Sequence, residues 1–412
     1  MKKKFLMFLS LVSIFGLVAC GGTSNNDDNG SNDGDTTSDK LYDTNGNEIV
    51  SGSSSVSFGS GRDVKSVTIS AAYLIDGVTV NITEGNYASA SSTADQVVFL
   101  VINGGKLNIT GTSGSYVGIY KSGSAASNGQ VGDEYNFYGI NSGIVVAGSS
   151  SSATIKYANI ETAASGSNAV VATSSGNVDI SNSTIKTSGS AGSRGLHATY
   201  SGTITADSVD ISTQGASCAS LATDRGGGTI TASNMTLETN SNGSPLVYST
   251  GTINVSNSKG TANNAQMVVV EGGSSASLES CVFSCTGSGN RTGTSDINSS
   301  KHTIDAGGIF IYQSFSGDSE EGTDYFTANN CSFEVTNSDV PMFYVTNITA
   351  VVTLSSNTFT QASSSDYLMI AEATNQWGTS GKNGATVTIK LSKQDWDKTK
   401  TYAGSTSSII YK

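Results

Sequence analysis

Gly176-Asn-Val178-Asp-Ile180-Ser-Asn182-Ser-Thr-Ile185-Lys-Thr187 is followed by Gly202-Thr-Ile204-Thr-Ala206-Asp-Ser208-Val-Asp-Ile211-Ser-Thr213. A third copy reads Gly228-Thr-Ile230-Thr-Ala232-Ser-Asn234-Met-Thr-Leu237-Glu-Thr239. Corresponding residues recur at 26-residue steps (Val178, Ile204, Ile230; Ile185, Ile211, Leu237), and Ile253-Asn-Val255-Ser-Asn257 arrives after 23. A fixed period of this size is the signature of stacked repeats. Each copy holds an apolar run such as Ala169-Val-Val-Ala172, an alternating pair, and an Ile-x-Thr step. Strands this short, separated by Gly, Ser and Asn, shelter no face alone. Stacking them about 4.8 Å apart does so, and also pairs every backbone.

Working outward, the pattern extends upstream to Ala153/Ile155/Ile160, Leu107/Ile109 and Val67/Ile69. Downstream it continues through Ala276/Leu278/Phe283, Phe326/Ala328/Phe333, Val352/Leu354/Phe359 and Val387/Ile389. Ala276 and Phe326 are 50 apart with one apolar run, Gly308–Tyr312, between them, so they are read as vertical neighbours around long loops. The fold expected is all-β: a single-stranded parallel β-helix with three strands per rung, about ten rungs, and terminal caps. The handedness of parallel crossovers makes it right-handed. Residues 42–65 supply one cap; Ala385 to Lys412, with Trp396 and Ile409-Ile410-Tyr411, supply the other.

Bulk composition agrees. Charged residues are 13%, Gly is 48 residues and Pro only 2, which suits neither a coiled coil nor a disordered chain. The formal net charge is −12, so nucleic acid is not an expected partner. Polyanionic sugars would be repelled overall unless Ca²⁺ bridged them.

Met1-Lys2-Lys3-Lys4 and the apolar run Phe5 to Val18 form a leader too short to span a bilayer. It ends Leu17-Val18-Ala19-Cys20-Gly21, which resembles the bacterial lipobox; the resemblance implies removal of residues 1–19 and acylation of Cys20. Residues 20–41 then make a lipidated, polar, flexible linker, and 42–412 the β-helix. The expected location is the bacterial cell envelope, at the cell surface, with the membrane touched through the lipid alone. Asp43-Thr-Asn45-Gly-Asn47-Glu48 spaces oxygen ligands like a calcium loop but lacks its sixth-position Gly, and is read as a turn. No metal and no cofactor are expected.

Asn182, Ser208, Asn234, Asn257 and Asn330 share one phase, with Ser280 and Ser356. Such a column at a bend can hydrogen-bond vertically. It resembles the asparagine columns of pectin-lyase-like right-handed β-helices over roughly residues 60 to 390, a likeness of fold with no activity attached. One position later, Ser183, Val209, Met235, Ser258, Cys281 and Cys331 point inward. Cys281 and Cys331 are vertical neighbours, within reach of a disulfide or packed as free thiols. Cys218 and Cys285 have no evident mates.

His197, in phase with Val171, Leu221, Leu246 and Val269, lies on an outward apolar row if Val170 and Ala172 face in. Phe310, Tyr312 and Tyr344 continue this strand. Such a row is either a binding surface or lies beneath a covering loop. Tyr116, Tyr120, Tyr135 and Tyr138 cluster on an irregular segment suited to carbohydrate or protein contact, or to a lid. The paired Asp, Asn-Thr-Asp, His-Gly and Arg-Ile-Lys signatures of the hydrolases in that superfamily are absent. The acids Asp179, Asp207, Asp210 and Asp224 are read as scattered over different phases. Arg291, Lys301, His302 and Asp305, in the 286–325 loops, offer a general acid–base set if there is an enzyme. The functional expectation is therefore an adhesin-like surface lipoprotein that binds a glycan or a protein on a host or neighbouring cell. The alternative is a polysaccharide lyase or glycoside hydrolase using those loops.

Overall fold

The computed structural model describes residues 39–412 except 60–63, 123–131, 290, 295–296, 298–300, 315–318, 363–366 and 377–383. Cys20, the leader and most of the spacer lie outside the described residues.

The chain is a parallel β-helix. One sheet has 13 strands, of which Gly52–Phe58 runs antiparallel to Lys65–Asp76 and the other twelve are parallel. Among the described residues twelve rungs therefore stack, against about ten expected. A second, 20-stranded sheet carries the remaining two segments of each rung and bends between them, except that the last two rungs add one strand each, Thr386–Ser392 and Ser408–Tyr411. Register follows the repeat residue by residue: Val178 over Ile204 over Ile230, and Ile185 over Ile211 over Leu237. Ala276 lies directly over Phe326, so the 50-residue step is one rung. Inward residues of both sheets form one continuous core from Leu41 to Ile389. Its shelter is vertical, as expected when each strand is too short to bury itself.

Two rungs sit differently from the expectation. Strand Lys65–Asp76 is twelve residues long; its first half, with Val67 and Ile69, pairs antiparallel with Gly52–Phe58, and Ser70–Asp76 pairs with the next rung, where Tyr73 and Ile75 face the core. The inward pair of that rung is Val80/Ile82. At the far end Ile389 pairs with Val352, not Leu354, a two-residue shift that preserves the faces. Ile409 and Tyr411 belong to a twelfth rung on Val387 and Ile389, while Trp396 packs on Phe343 (5.7 Å) and Phe359 (6.2 Å). The N-terminal cap is the Leu41–Tyr42/Glu48–Ile49 hairpin plus Gly52–Phe58, which covers the first strand edge. Its turn is closed by Asp43, whose Oδ1 accepts from the backbone of Asn45 (2.8 Å) and Asn47 (2.9 Å).

The expected vertical hydrogen bond forms at one step of the Asn column, Asn330 Nδ2 donating to Ser280 Oγ at 3.0 Å, and the column has a further cause. Asn182, Ser208, Asn234, Asn257, Ser280, Asn330 and Ser356 all lie in the left-handed region, φ 48–57°. Asn tolerates this conformation better than other non-Gly residues, so the bend selects it. The side chains lie at the surface, and the corner is tied by main chain: Asn257 N donates to Glu279 O at 2.9 Å and Asn330 N to Ser355 O at 2.9 Å. The next position does point inward. Ser258 Oγ accepts from Met235 N (3.0 Å) and Cys331 Sγ from Cys281 N (3.3 Å). A second inner column runs Ser167, Ser193, Cys218, Ser244, in which the side chains of Ser193, Cys218 and Ser244 each accept the amide of the column residue one rung before. Cys218, Cys281 and Cys331 thus occupy serine positions, while Cys285 stacks between Ala262 and Val335. Cys281 and Cys331 are neighbours as expected, and both are free thiols. Hydrogen bonding to Cys331 and burial hold the Cys281 thiol far above its ordinary range. Burial pushes Cys285 up to about 12.

Candidate functional site

The outward row of the first sheet reads Val145, Val171, His197, Ala222, Tyr248, Val269, Phe310, Tyr344 and Ile370 in register. Leu221 is not in it. It pairs with Leu196 and joins the core, because the step from Leu196 to Leu221 is 25 residues where the neighbouring strand keeps 26. The shorter loop shifts the strand by one residue and exchanges its faces.

The row is covered, not open. Over its first half lies the segment 132–140, whose Tyr135, Phe137, Tyr138 and Ile140 form a separate apolar cluster with Leu100, Val145 and Val171. Tyr135 and Tyr138 are therefore 4% and 3% exposed, lid residues rather than a contact surface. Gly166, at φ +70°, leaves the space the Tyr135 ring fills, since a Cβ there would come within 2.7 Å of it. Cations clamp the lid. The Arg225 guanidinium sits 3.9 Å above the Phe137 ring and 2.9 Å from Asp133, and Arg194 donates to Asn136 Oδ1 at 3.0 Å. His197 is fully buried under this edge, 3.8 Å from Asp224, which also takes Arg194 at 3.2 Å. Burial brings its imidazole down to about 4, so it is neutral.

Over the second half, Phe310 stacks on Tyr312 (4.3 Å) and Tyr344 (5.8 Å), in a cluster with Val269 and Ile370. Phe310, Tyr312 and Tyr344 are 3%, 9% and 3% exposed. Two buried glutamates anchor the tyrosines. Glu271 accepts from Tyr248 (2.5 Å), Tyr312 (2.6 Å) and Ser314; Glu372 accepts from Tyr344 (2.8 Å) and from the backbone of Ile297 (3.1 Å). Glu271, Tyr312, Thr346 and Glu372 are successive partners in register, and continuing the same register upward reaches Thr250 and Asp224. Asp179, Asp207 and Asp210 occupy different positions of the rung, as expected, and Asp224 lies on the other sheet, in a column with two glutamates hidden in the strand ends. Asp324 is also buried; its Oδ1 accepts Ser274 N at 3.0 Å, its Oδ2 has no partner among the described residues, and burial pushes it up to about 8.

The segment expected as loops between Cys285 and Gly308 contains an antiparallel hairpin, Arg291–Thr294 with Lys301–Ile304. Gly293 pairs with His302 and Thr294 with Lys301; the side chains of Arg291, Lys301 and His302 lie outside the described residues. The backbone at Ile297 reaches Glu372, so this insertion crosses the aromatic row. Asp305 is 8% exposed, with φ 61° and its carbonyl accepting from Gln266, which places it in a buried turn. Among the described residues no group of three His, Cys, Asp or Glu could hold a metal.

Tyr116 and Tyr120 remain accessible. Strand Val117–Lys121 carries Tyr120 outward, directly beside Glu161 and, one rung on, Lys186. Its ring lies back over Gly118, where a Cβ would meet the ring at 2.5 Å. The aromatic plane is therefore laid along the sheet. Around it, Asn159 donates to Glu161 Oε1 (2.9 Å) and accepts from Thr184 Oγ1 (2.7 Å). Tyr116, 41% exposed, meets Tyr157 edge-on at 5.8 Å, and Lys156 lies 5.4 Å over that ring. A shallow pocket lined by Tyr120, Glu161, Lys186 and the buried Lys121 opens here. Burial brings the Lys121 ammonium down to about 8. Flat aromatics flanked by amide, carboxylate and ammonium groups suit stacking on a sugar face with hydrogen bonds to its hydroxyls. Searches against family models, curated proteins and solved structures found no match for this chain.

Proposed function

We propose that this chain is an exported, lipid-anchored surface protein whose β-helix binds a glycan, or a protein, on a neighbouring or host cell. Its architecture is similar to that of pectin-lyase-like β-helices and adhesin-like lipoproteins. The observation that carries the reading is Tyr120 lying flat over Gly118 beside Asn159, Glu161 and Lys186, with Tyr116 and Tyr157 at the adjoining corner. Three successive rungs hold these groups at fixed spacing, so an extended sugar chain binds with little ordering cost on the protein side. The Cys20 acyl anchor and the polar spacer would display this face away from lipid.

The test is a glycan array probed with the full-length protein and with a Tyr116→Ala/Tyr120→Ala variant. Binding that the variant loses supports the reading; binding unchanged by it removes this face from consideration. Labelling with a palmitate analogue, lost on Cys20→Ala, checks the anchor. Depolymerisation of any bound glycan would favour the enzymatic alternative.

A further inference from the structure

The last two rungs carry an unusual charge for this molecule. Residues 385–412 hold five lysines (Lys390, Lys393, Lys398, Lys400, Lys412) against two aspartates (Asp395, Asp397), in a chain whose formal net charge is −12. All five lysines are exposed. Lys412 N donates to Ile389 O (2.9 Å), and Tyr411 pairs with Ile389, so in the continuing register Lys412 stacks on Lys390. Their backbones are one strand spacing apart, about 4.8 Å. Like charges placed directly opposite on a sheet are unfavourable unless something neutralises them.

Among the described residues neither aspartate is ion-paired to a lysine. Asp397 accepts from the backbone (2.9 Å) and hydroxyl (2.6 Å) of Thr399, capping the short helical turn Lys398–Lys400. These bonds, with a smaller contribution from the Lys400 charge, hold its carboxyl below the usual range. Lys398 lies 4.3 Å over the Tyr411 ring, which fixes that ammonium above the end of the solenoid. Among the described residues no ion pair involves any of the five lysines.

We infer that this end of the β-helix, opposite the end where residue 39 enters, is a binding site for a polyanionic polysaccharide. Sulfate or carboxylate groups spaced along such a chain would bridge Lys390 and Lys412 and then Lys398, Lys400 and Lys393 around the tip. The acidic flanks of the body would keep the same polymer off the rest of the surface, so contact is confined to the end. Lysines on an open edge also block strand-to-strand aggregation. That role accounts for Lys400 and Lys412 on or beside the last strands, but not for Lys390 and Lys393, which lie one rung in.

Binding of the full-length protein to immobilised dextran sulfate, polygalacturonate and neutral dextran tests the proposal, alongside Lys390→Ala/Lys412→Ala and Tyr116→Ala/Tyr120→Ala variants. Expected are retention on both anionic polymers and none on dextran, a fall of about tenfold in affinity for the lysine variant, and a weaker salt dependence. The tyrosine variant should bind the polyanions as wild type does, which separates this site from the sugar-stacking face. Equal binding by wild type and lysine variant, or no binding to either anionic polymer, would overturn the proposal. So would a lysine variant whose only change is self-association in sedimentation velocity, which marks the lysines as edge guards. Concentration-dependent association of wild type that dextran sulfate does not compete would assign the tip to the Asp-rich spacer of a second copy, and also overturn it. An unchanged circular dichroism melt confirms that the exposed substitutions leave the fold intact.

Discussion

The two halves of the first sheet's outer face begin from the same apolar row and are closed by opposite means. Above, the lid 132–140 is apolar and clamped by Arg194 and Arg225, and its ionisable centre is the neutral His197. Below, aromatic rings stack over a floor of buried carboxyl groups, Glu271 and Glu372, with Asp324 at the adjoining corner. A row that is apolar in sequence does not specify its cover. Each solution brings its own dependence on pH.

The comparison breaks most visibly at its aromatic anchors. Phe310→Ala should cost about 3–5 kcal/mol in a denaturant titration, because the ring is 3% exposed and stacked on two others. Phe137→Ala should instead release the lid locally, giving faster hydrogen exchange at Val145 and Val171 with a smaller change in global midpoint. Equal global losses would show that the lid and the solenoid unfold as one unit.

Next in size is the response to alkali. Asp324 titrates near 8 when folded and near 3.8 when not, so the folded state holds its proton more tightly. Stability is then greatest below the ordinary carboxylate range and falls as pH rises from about 4 to about 8. Asp324→Asn keeps an acceptor for Ser274 N and removes that slope. It should gain about 2–4 kcal/mol at pH 8 and nothing at pH 4, by thermal melts across pH. Glu271, also raised by burial, contributes in the same direction.

The upper half responds to acid. His197 is held near 4 against an ordinary 6.5, so its contribution is complete above 6.5 and is lost as pH falls toward 4. His197→Leu, which matches its apolar neighbours Val171 and Ala222 in register, should remove a loss of about 2–3 kcal/mol between pH 7 and 4. If hydrogen exchange at pH 4 accelerates in the lower half instead, this assignment fails. The smallest effect is chemical. Cys331→Ser should change the melting temperature little, under about 1 kcal/mol, because serine already holds that place at Ser183 and Ser258. Cys331→Ala strands Cys281 N and should cost about 1–2 kcal/mol.

Much of the scaffold can be read from residue spacing. The 26-residue steps place Val178 over Ile204, the 50-residue step places Ala276 over Phe326, and the inward phase of Ser183, Met235 and Cys281 follows from the apolar members of that column. The site is less legible. Leu221 moves to the core because a loop is one residue short, and Ala222 takes its place; no pattern within the strand itself reveals this. Among the tyrosines, spacing does not separate Tyr135 and Tyr138, which seal a lid, from Tyr116 and Tyr120, which face solvent. A signal for Tyr120 did exist in the glycine two residues before it. Glu271 and Glu372 end apolar strands, and their alignment appears only once loops of unequal length are folded away.

The sequence by itself determined the vertical order of this protein, because a strand too short to bury its own face must repeat its pattern wherever the next copy stacks. It also determined the left-handed corners, since so few residue types accept positive φ. Only the tertiary structure decided what lies across the rungs: which apolar row is covered, which tyrosines are free, and which acids share a column. Those contacts join segments of unrelated spacing through loops of variable length, and no period carries information about where such a loop comes to rest.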